Sequence, residues 1–382
     1  MGALVLIVPG RLDSRTGGSI YDARMAEGLR ARGWSVEVRE LDESFPRPTP
    51  AALDHARHVL AAIPDGTAVL IDGLALGAMP TEVEHEAARL RIVALVHLPL
   101  ADEIGLDRDT AARFREIERR ALAASAFVIV TGHTTATALA GYGVGRDRIA
   151  VVEPGTDRAP LARGSRHLLF APGPEPFALS PKPSSVSPMP SALCPLPFDD
   201  SPLHLLCVAT VSPGKGHEML FRALTAVPRR DWRLTCAGSV QRHPRTVDRL
   251  LDVLRAEGLV DRVSLVGELD DRSLTACYDS ADVFVLATLH ETYGMAIAEA
   301  LARGLPVVST TTGAIPDLVG DHAGLLVPPG DVERLTEALS MVLGDVHLRE
   351  RLAAGARLVR EGLPTWEDAA DKMADALRLL TN

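Results

Sequence analysis

Short apolar runs alternate with amphipathic stretches along most of the chain. The first run, Ala3-Leu4-Val5-Leu6-Ile7-Val8, has no polar break, which is the pattern of a strand buried on both faces of a parallel sheet. Ile20, Ala23, Ala26 and Leu29 then recur at helical spacing and predict a helix from about Ser19 to Arg32, ended by Gly33. The rhythm continues with apolar runs at 36–41, 68–71, 92–96, 127–130 and 149–152, separated by helical patterns at about 51–62, 81–90, 109–124 and 134–142. A second series has apolar runs at 203–208, 234–237, 263–266, 283–286, 307–309 and 325–327. Alternation of this kind predicts parallel sheets with helices on both faces, whose ligands sit at the carboxyl ends of the strands. The last pattern, Trp366, Ala370, Met373, Leu377 and Leu380, predicts an amphipathic helix.

The two series are separated by a change of character. Ten prolines fall between Pro172 and Pro202, with serine and alanine filling most of the gaps. Such a stretch cannot build a helix or a central strand and predicts a linker or an extended surface excursion. The expected organisation is therefore a first domain over residues 1–165, the proline-rich insert over 166–202, a second domain over 203–365 and a closing helix over 366–382. A length of 382 residues suits two domains, each with its own core.

Composition narrows the partners. A net charge of -10 argues against nucleic acid as the main partner, so any phosphate site must be local. The four cysteines, Cys194, Cys207, Cys236 and Cys277, show no paired spacing, and three lie in or beside apolar segments as expected of buried thiols. That usage fits a reducing cytoplasm. The first strand begins at Ala3, which leaves no room for a signal peptide, and no apolar run reaches the ~18 residues that span a bilayer. Peripheral membrane contact is not favoured, because the closing helix carries few basic residues.

Candidate chemistry concentrates at strand ends. After the run 283–286 comes His290-Glu291-Thr292-Tyr293-Gly294-Met295-Ala296-Ile297-Ala298-Glu299, read as a strand-to-helix turn with the helix starting near Met295. Gly294 lets the backbone approach a ligand, and the first helical amides are a ready anion site. Two carboxylates beside an anion site make sense for a nucleotide sugar, whose hydroxyls they accept from while amides hold the diphosphate. The loop Ala209-Thr210-Val211-Ser212-Pro213-Gly214-Lys215-Gly216 offers one lysine among glycines after a strand, which suits phosphate. Gly17-Gly18 opens the first helix without the Gly-x-Gly-x-x-Gly order of a dinucleotide site. His97 ends the run 92–96, and Glu103 follows six residues later. No Asp-x-Asp or histidine–carboxylate stretch suggests a catalytic metal, so none is expected.

Taken together, Glu291-Thr292-Tyr293-Gly294-Met295, Glu299-Ala300-Leu301-Ala302, Gly304-Leu305-Pro306-Val307-Val308 and Gly313-Ala314-Ile315-Pro316-Asp317 resemble the donor site of glycosyltransferase family 4, the retaining enzymes of the GT-B fold. The resemblance implies two Rossmann-like domains facing across a cleft, with the last helix crossing back to the first. It implies transfer of a hexose from a nucleoside-diphosphate sugar to an acceptor hydroxyl, with no cofactor and no metal. Lys215 would stabilise the departing diphosphate, Glu299 would hold the ribose, and Glu291 would orient the sugar with amides around Thr292, Tyr293, Gly294 and Met295. His97 would contact the sugar from the opposite domain. Gly17 and Gly18 would lie beside the donor phosphates, and Gly267-Glu268-Leu269 beside the base. The chain departs from the family at Ala209-Thr210, where relatives carry Gly-Arg. Arg11, Arg15 and Arg242 are the candidate replacements. Two other readings stay open: a non-catalytic donor-binding relative, which would fit the missing arginine, and a GT-B nucleotide-sugar epimerase.

Overall fold

The computed structural model describes residues 2–165 and 202–381; the expected proline-rich insert lies outside the described residues. Two six-stranded sheets carry the chain, and every strand pair is parallel. The first contains β1 (Ala3–Pro9), β2 (Ser35–Leu41), β3 (Ala68–Asp72), β4 (Arg91–Val96), β5 (Phe127–Val130) and β6 (Ile149–Val151), in the order β2-β1-β3-β4-β5-β6. The second contains β7 (Leu203–Val208), β8 (Trp232–Ala237), β9 (Val263–Gly267), β10 (Val283–Leu286), β11 (Val307–Thr310) and β12 (Gly324–Val327), in the order β12-β11-β10-β7-β8-β9.

Strand order sets where a ligand can bind. In the first sheet the chain runs outward from β1 to β2, then returns to β3 on the other side of β1. In the second it runs from β7 to β9, then restarts at β10 on the other side of β7. Loops on the two sides of such a reversal diverge and leave a crevice at the strand ends. Both reversals supply walls to one cleft.

Each domain has its own core. The second domain buries one cluster that includes Trp232, Phe284 and Tyr278. The first sheet is covered on both faces. One face buries Phe45, Leu60, Phe114 and Leu122. The other packs Tyr21, Met25, Ala26 and Leu29 of the helix Gly17–Ala31 against Ala369, Met373 and Leu377 of the final helix Trp366–Thr381. The final helix thus crosses back to the first domain, as the resemblance implies. The two crossings meet: Thr156 N donates to the Pro364 carbonyl at 2.8 Å. A Cβ on Gly155 would lie 2.3 Å from the Trp366 nitrogen, so only glycine fits there. Beyond it, Ala162 N and Gly164 N already bond to carbonyls of Arg303 and Asp279 in the second domain.

Some local expectations shift. The helix expected at Ser19 begins two residues earlier, because the Thr16 side chain accepts from Ser19 N and caps it. The helical pattern at 81–90 yields Pro80–Glu86, and that at 134–142 yields His133–Ala138 followed by a tighter turn to Tyr142. No described helix is long and apolar enough to cross a membrane.

Candidate active site

The second domain contributes two loops held together by backbone. Leu289 N, after β10, donates to the Gly214 carbonyl at 2.7 Å, and Thr288 Oγ1 reaches the same oxygen at 3.1 Å. This fixes the lysine loop against the Glu291 turn. Lys215 Nζ lies 2.6 Å from Glu291 Oε2, while Glu291 Oε1 accepts from Thr292 N at 3.3 Å. Gly294 then adopts φ +98, a left-handed conformation open to glycine, and starts the helix Met295–Ala302 without a side-chain cap. Its leading amides have no partner within the helix and carry the positive end of the helix dipole. Glu299 sits in the second turn, where its Oε2 accepts from the Tyr278 hydroxyl at 2.9 Å. Burial raises the Glu299 carboxyl above its ordinary value, against the lowering effect of that hydrogen bond.

The first domain supplies a different wall. His97 Nε2 lies 3.1 Å from Asp22 Oδ1 and 3.3 Å from Asp72 Oδ2. Asp22 comes from the helix after β1, Asp72 from the end of β3 and His97 from just past β4, so the strand reversal itself gathers them. Asp72 Oδ1 accepts from Leu74 N at 2.8 Å, which orients its other oxygen toward the imidazole. Burial alone would lower the His97 pKa, but the hydrogen bonds and charges of Asp22 and Asp72 raise it to about 10. Burial pushes the Asp22 carboxyl up to about 6, although its bond to His97 pulls the other way. His97 also packs edge-on to Tyr21 with ring centres 5.2 Å apart, and Tyr21 packs edge-on to Trp366 at 6.1 Å. The returning helix therefore buttresses the histidine.

A cavity of about 500 Å³ lies between the walls. Of the residues expected to bind donor, Gly17, Gly18, His97, Lys215, Glu268, Leu269, Glu291, Thr292, Tyr293, Gly294, Met295 and Glu299 line it. Glu103 and Thr210 line it as well. Gly267 does not: it ends β9, and its carbonyl accepts from Gly238 N at 2.8 Å, so it supports the wall from behind. Among the three candidate arginines, Arg15 reaches this cavity, with Nη1 2.7 Å from the Leu269 carbonyl and 2.8 Å from Asp271. Arg11 pairs with Asp13, and Arg11 and Arg242 border an adjoining hollow of about 790 Å³ that shares Gly18, His97 and Glu268 with the first.

Nothing along the chain links Asp22, Asp72 and His97, yet folding assembles a histidine–carboxylate cluster from them. The signals were faint. Asp22 is an acid on the buried face of an amphipathic helix, beside Met25 and Ala26 in the next turn, and Asp72 is an acid closing an apolar strand. Tyr278 gave no signal, because an aromatic on a helix facing the core is ordinary.

Residues 202–345 match the family model described as glycosyl transferases group 1. A D-inositol 3-phosphate glycosyltransferase from Xylanimonas cellulosilytica is 34% identical over 177 residues, 46% of this chain and 42% of that protein. An alpha-D-kanosaminyltransferase from Streptomyces kanamyceticus is 27% identical over 183 residues, 47% of this chain and 46% of that protein. These matches span less than half the length of either relative. Solved structures match over nearly the whole chain. Sucrose-phosphate synthase from Thermosynechococcus elongatus superposes with a TM-score of 0.79 at 20% identity, covering 100% of this chain and 99% of its own. HepE from Anabaena, solved with UDP-glucose, gives 0.73 at 15% identity over 98% and 99%. The strand order, the cleft between the domains and the solved structures give the chain the GT-B fold, and its residues 202–345 form a domain of the group 1 glycosyl transferase kind.

Proposed function

We propose that the protein is a retaining glycosyltransferase that moves a hexose from a nucleoside-diphosphate sugar to an acceptor hydroxyl. The observation that carries the reading is the opposition of two walls across one cavity. Lys215 and the helix start at Met295 face it from one domain, and His97 faces it from the other. The UDP-glucose bound by HepE, which shares the fold, supports a nucleotide-sugar donor.

Lys215 and the amides after Gly294 offer the diphosphate positive charge and hydrogen-bond donors, the roles a metal ion would otherwise fill, so the reaction proceeds without a catalytic metal or cofactor. A bound diphosphate competes for Lys215, which exchanges Glu291 for phosphate oxygens and frees the carboxylate for a sugar hydroxyl. Glu299, half-buried beside Tyr278, accepts from the ribose. Of the candidate arginines, Arg15 shares the cavity with Thr210, where the resemblance implies an arginine, but its guanidinium is already engaged by Leu269 and Asp271.

His97 is a cation at neutral pH, because the two aspartates hold its proton. A cationic imidazole cannot serve as general base. It donates to donor or acceptor oxygens and stabilises charge that develops there. The acceptor proton then passes to the departing phosphate oxygen: the acceptor oxygen bonds to the anomeric carbon on the face from which the diphosphate leaves, the carbon–oxygen bond to the β-phosphate breaks, and the nucleoside diphosphate departs. The described cysteines, all three buried free thiols, suit a reducing cytoplasm.

A panel of UDP- and GDP-sugars, assayed for nucleoside diphosphate release with and without a metabolite extract, tests the reading. Release that requires extract, with the donor's anomeric configuration kept in the product, is expected. Tight nucleotide binding without release under any condition would establish a non-catalytic relative, and turnover of donor without acceptor would establish an epimerase.

A further inference from the structure

Behind the lysine loop lies a second cluster that the proposed transfer does not use. Cys207 of β7 and Cys236 of β8 are register partners on neighbouring parallel strands, so their side chains leave the same face of the sheet. His217, the first residue of the helix His217–Ala226, closes over them. The Cys207 Sγ to His217 Nε2 distance is 3.8 Å, and single donor atoms of all three residues lie within 4.8 Å of one another.

The three side chains are almost sealed from solvent, at 1%, 3% and 2% exposure for Cys207, Cys236 and His217. Their surroundings are apolar, since both cysteines belong to the core cluster that also holds Leu205, Leu234 and Phe221. His217 Nδ1 is buried without a hydrogen-bond partner, so the imidazole pays for burial with its only polar contact directed at the thiols. Thiolate is the ligand form of cysteine.

We propose that Cys207, Cys236 and His217 bind one soft, thiophilic metal ion, copper(I) or zinc(II), as a structural site beneath the donor-phosphate loop. Two sulfurs and one imidazole nitrogen are a donor set for thiophilic ions and a poor one for magnesium or calcium. Bonds of about 2.0–2.3 Å to sulfur and nitrogen place neighbouring donor atoms about 3.5–4 Å apart, which the Cys207–His217 spacing already meets. Binding releases the thiol protons and turns two buried thiols and a half-satisfied imidazole into a closed coordination shell. The site joins the ends of β7 and β8 to the residue that follows Gly216, so an ion there would brace the loop carrying Lys215. It is distinct from the transfer chemistry and stands whether or not that reading holds.

The test uses the full chain, reduced and kept free of oxygen, exposed separately to zinc(II) and to copper(I) held by a competing chelator, then desalted. Metal content and X-ray absorption of the loaded, unmutated protein are read first. About one ion per chain, with both sulfur and nitrogen scatterers in its shell, is expected for at least one of the two metals. Cys207→Ser and Cys236→Ala should each abolish retention, whereas Cys277→Ser should keep it. No retained metal, a shell of nitrogen and oxygen alone, or retention that survives both cysteine changes would overturn the site, leaving a packed thiol–imidazole contact. A Cys207–Cys236 disulfide in protein isolated under air-free conditions would overturn it as well.

Discussion

The two walls of the cleft are built on different principles. The second-domain wall is made of backbone. Its amides after Gly294 and its glycine loop around Lys215 come from two short stretches, and one hydrogen bond from Leu289 to Gly214 joins them. The first-domain wall is made of charge. Asp22, Asp72 and His97 come from three elements 75 residues or fewer apart; the two aspartates are buried, His97 is half-buried, and their bonds and charges raise the histidine's pKa. The family model covers the first of these walls and not the second. A diphosphate common to all nucleotide-sugar donors calls for the same helix end and cation each time. On the proposed reading the first-domain wall meets the sugar and the acceptor, whose chemistry the shared diphosphate does not fix.

If the walls differ in this way, changes on the donor wall should alter nucleotide affinity, and changes on the other wall should alter turnover and pH dependence. The largest effect is expected at Lys215. Lys215→Ala removes a charge-assisted bond of about 1.5–3 kcal/mol and leaves Glu291 without its partner, so nucleoside diphosphate affinity should fall by about 100-fold in a calorimetric titration. Unchanged affinity would move the phosphate site elsewhere.

On the opposite wall, His97→Asn should lower kcat by about 10–100-fold and leave the dissociation constant of free nucleoside diphosphate unchanged, since the lost charge-assisted bond acts on the reacting sugar or acceptor. The same change has a signature in stability. The folded pKa of His97, about 10, stands above its ordinary 6.5, so its pairing with Asp22 and Asp72 contributes stability that is fully present below about pH 6.5 and lost as pH rises through about 10. Melting temperature should therefore fall more steeply between pH 6.5 and 10 in the parent than in His97→Asn. Parallel curves would mean that the histidine is neutral in the folded protein.

The smallest effect sharpens the comparison. Thr210 lines the cavity where the resemblance implies an arginine, and Arg15, bound to Leu269 and Asp271, is only partly available to replace it. Thr210→Arg should tighten nucleoside diphosphate binding by about tenfold without a matching gain in kcat, because ground-state affinity alone does not speed turnover. No change in affinity would indicate that Arg15 already turns to the phosphates when donor binds.

The strands, their parallel pairing and the donor turn were legible in the residues, because each depends on neighbours in sequence. An unbroken apolar run buries both faces of a strand, and a glycine before a helix exposes its amides wherever the pair occurs. Lys215, Glu291 and Glu299 could be placed at strand ends beside the cavity for the same reason, and the closing helix by its own periodicity. Tertiary structure alone decided which side chains those elements bring together. Asp22 and Asp72 reach His97 because the chain reverses direction across β1, and no local pattern records that reversal. Gly267 illustrates the converse: its strand-end position was readable, but whether it faces the cavity or braces Gly238 depends on how β8 and β9 pair. The Cys207–His217–Cys236 cluster was equally hidden, since β-sheet register sets two residues 29 apart side by side. Short-range periodicity specifies elements, whereas proton sharing and metal-type donor sets depend on distances of a few ångströms between residues remote in the chain, which only the packed fold supplies.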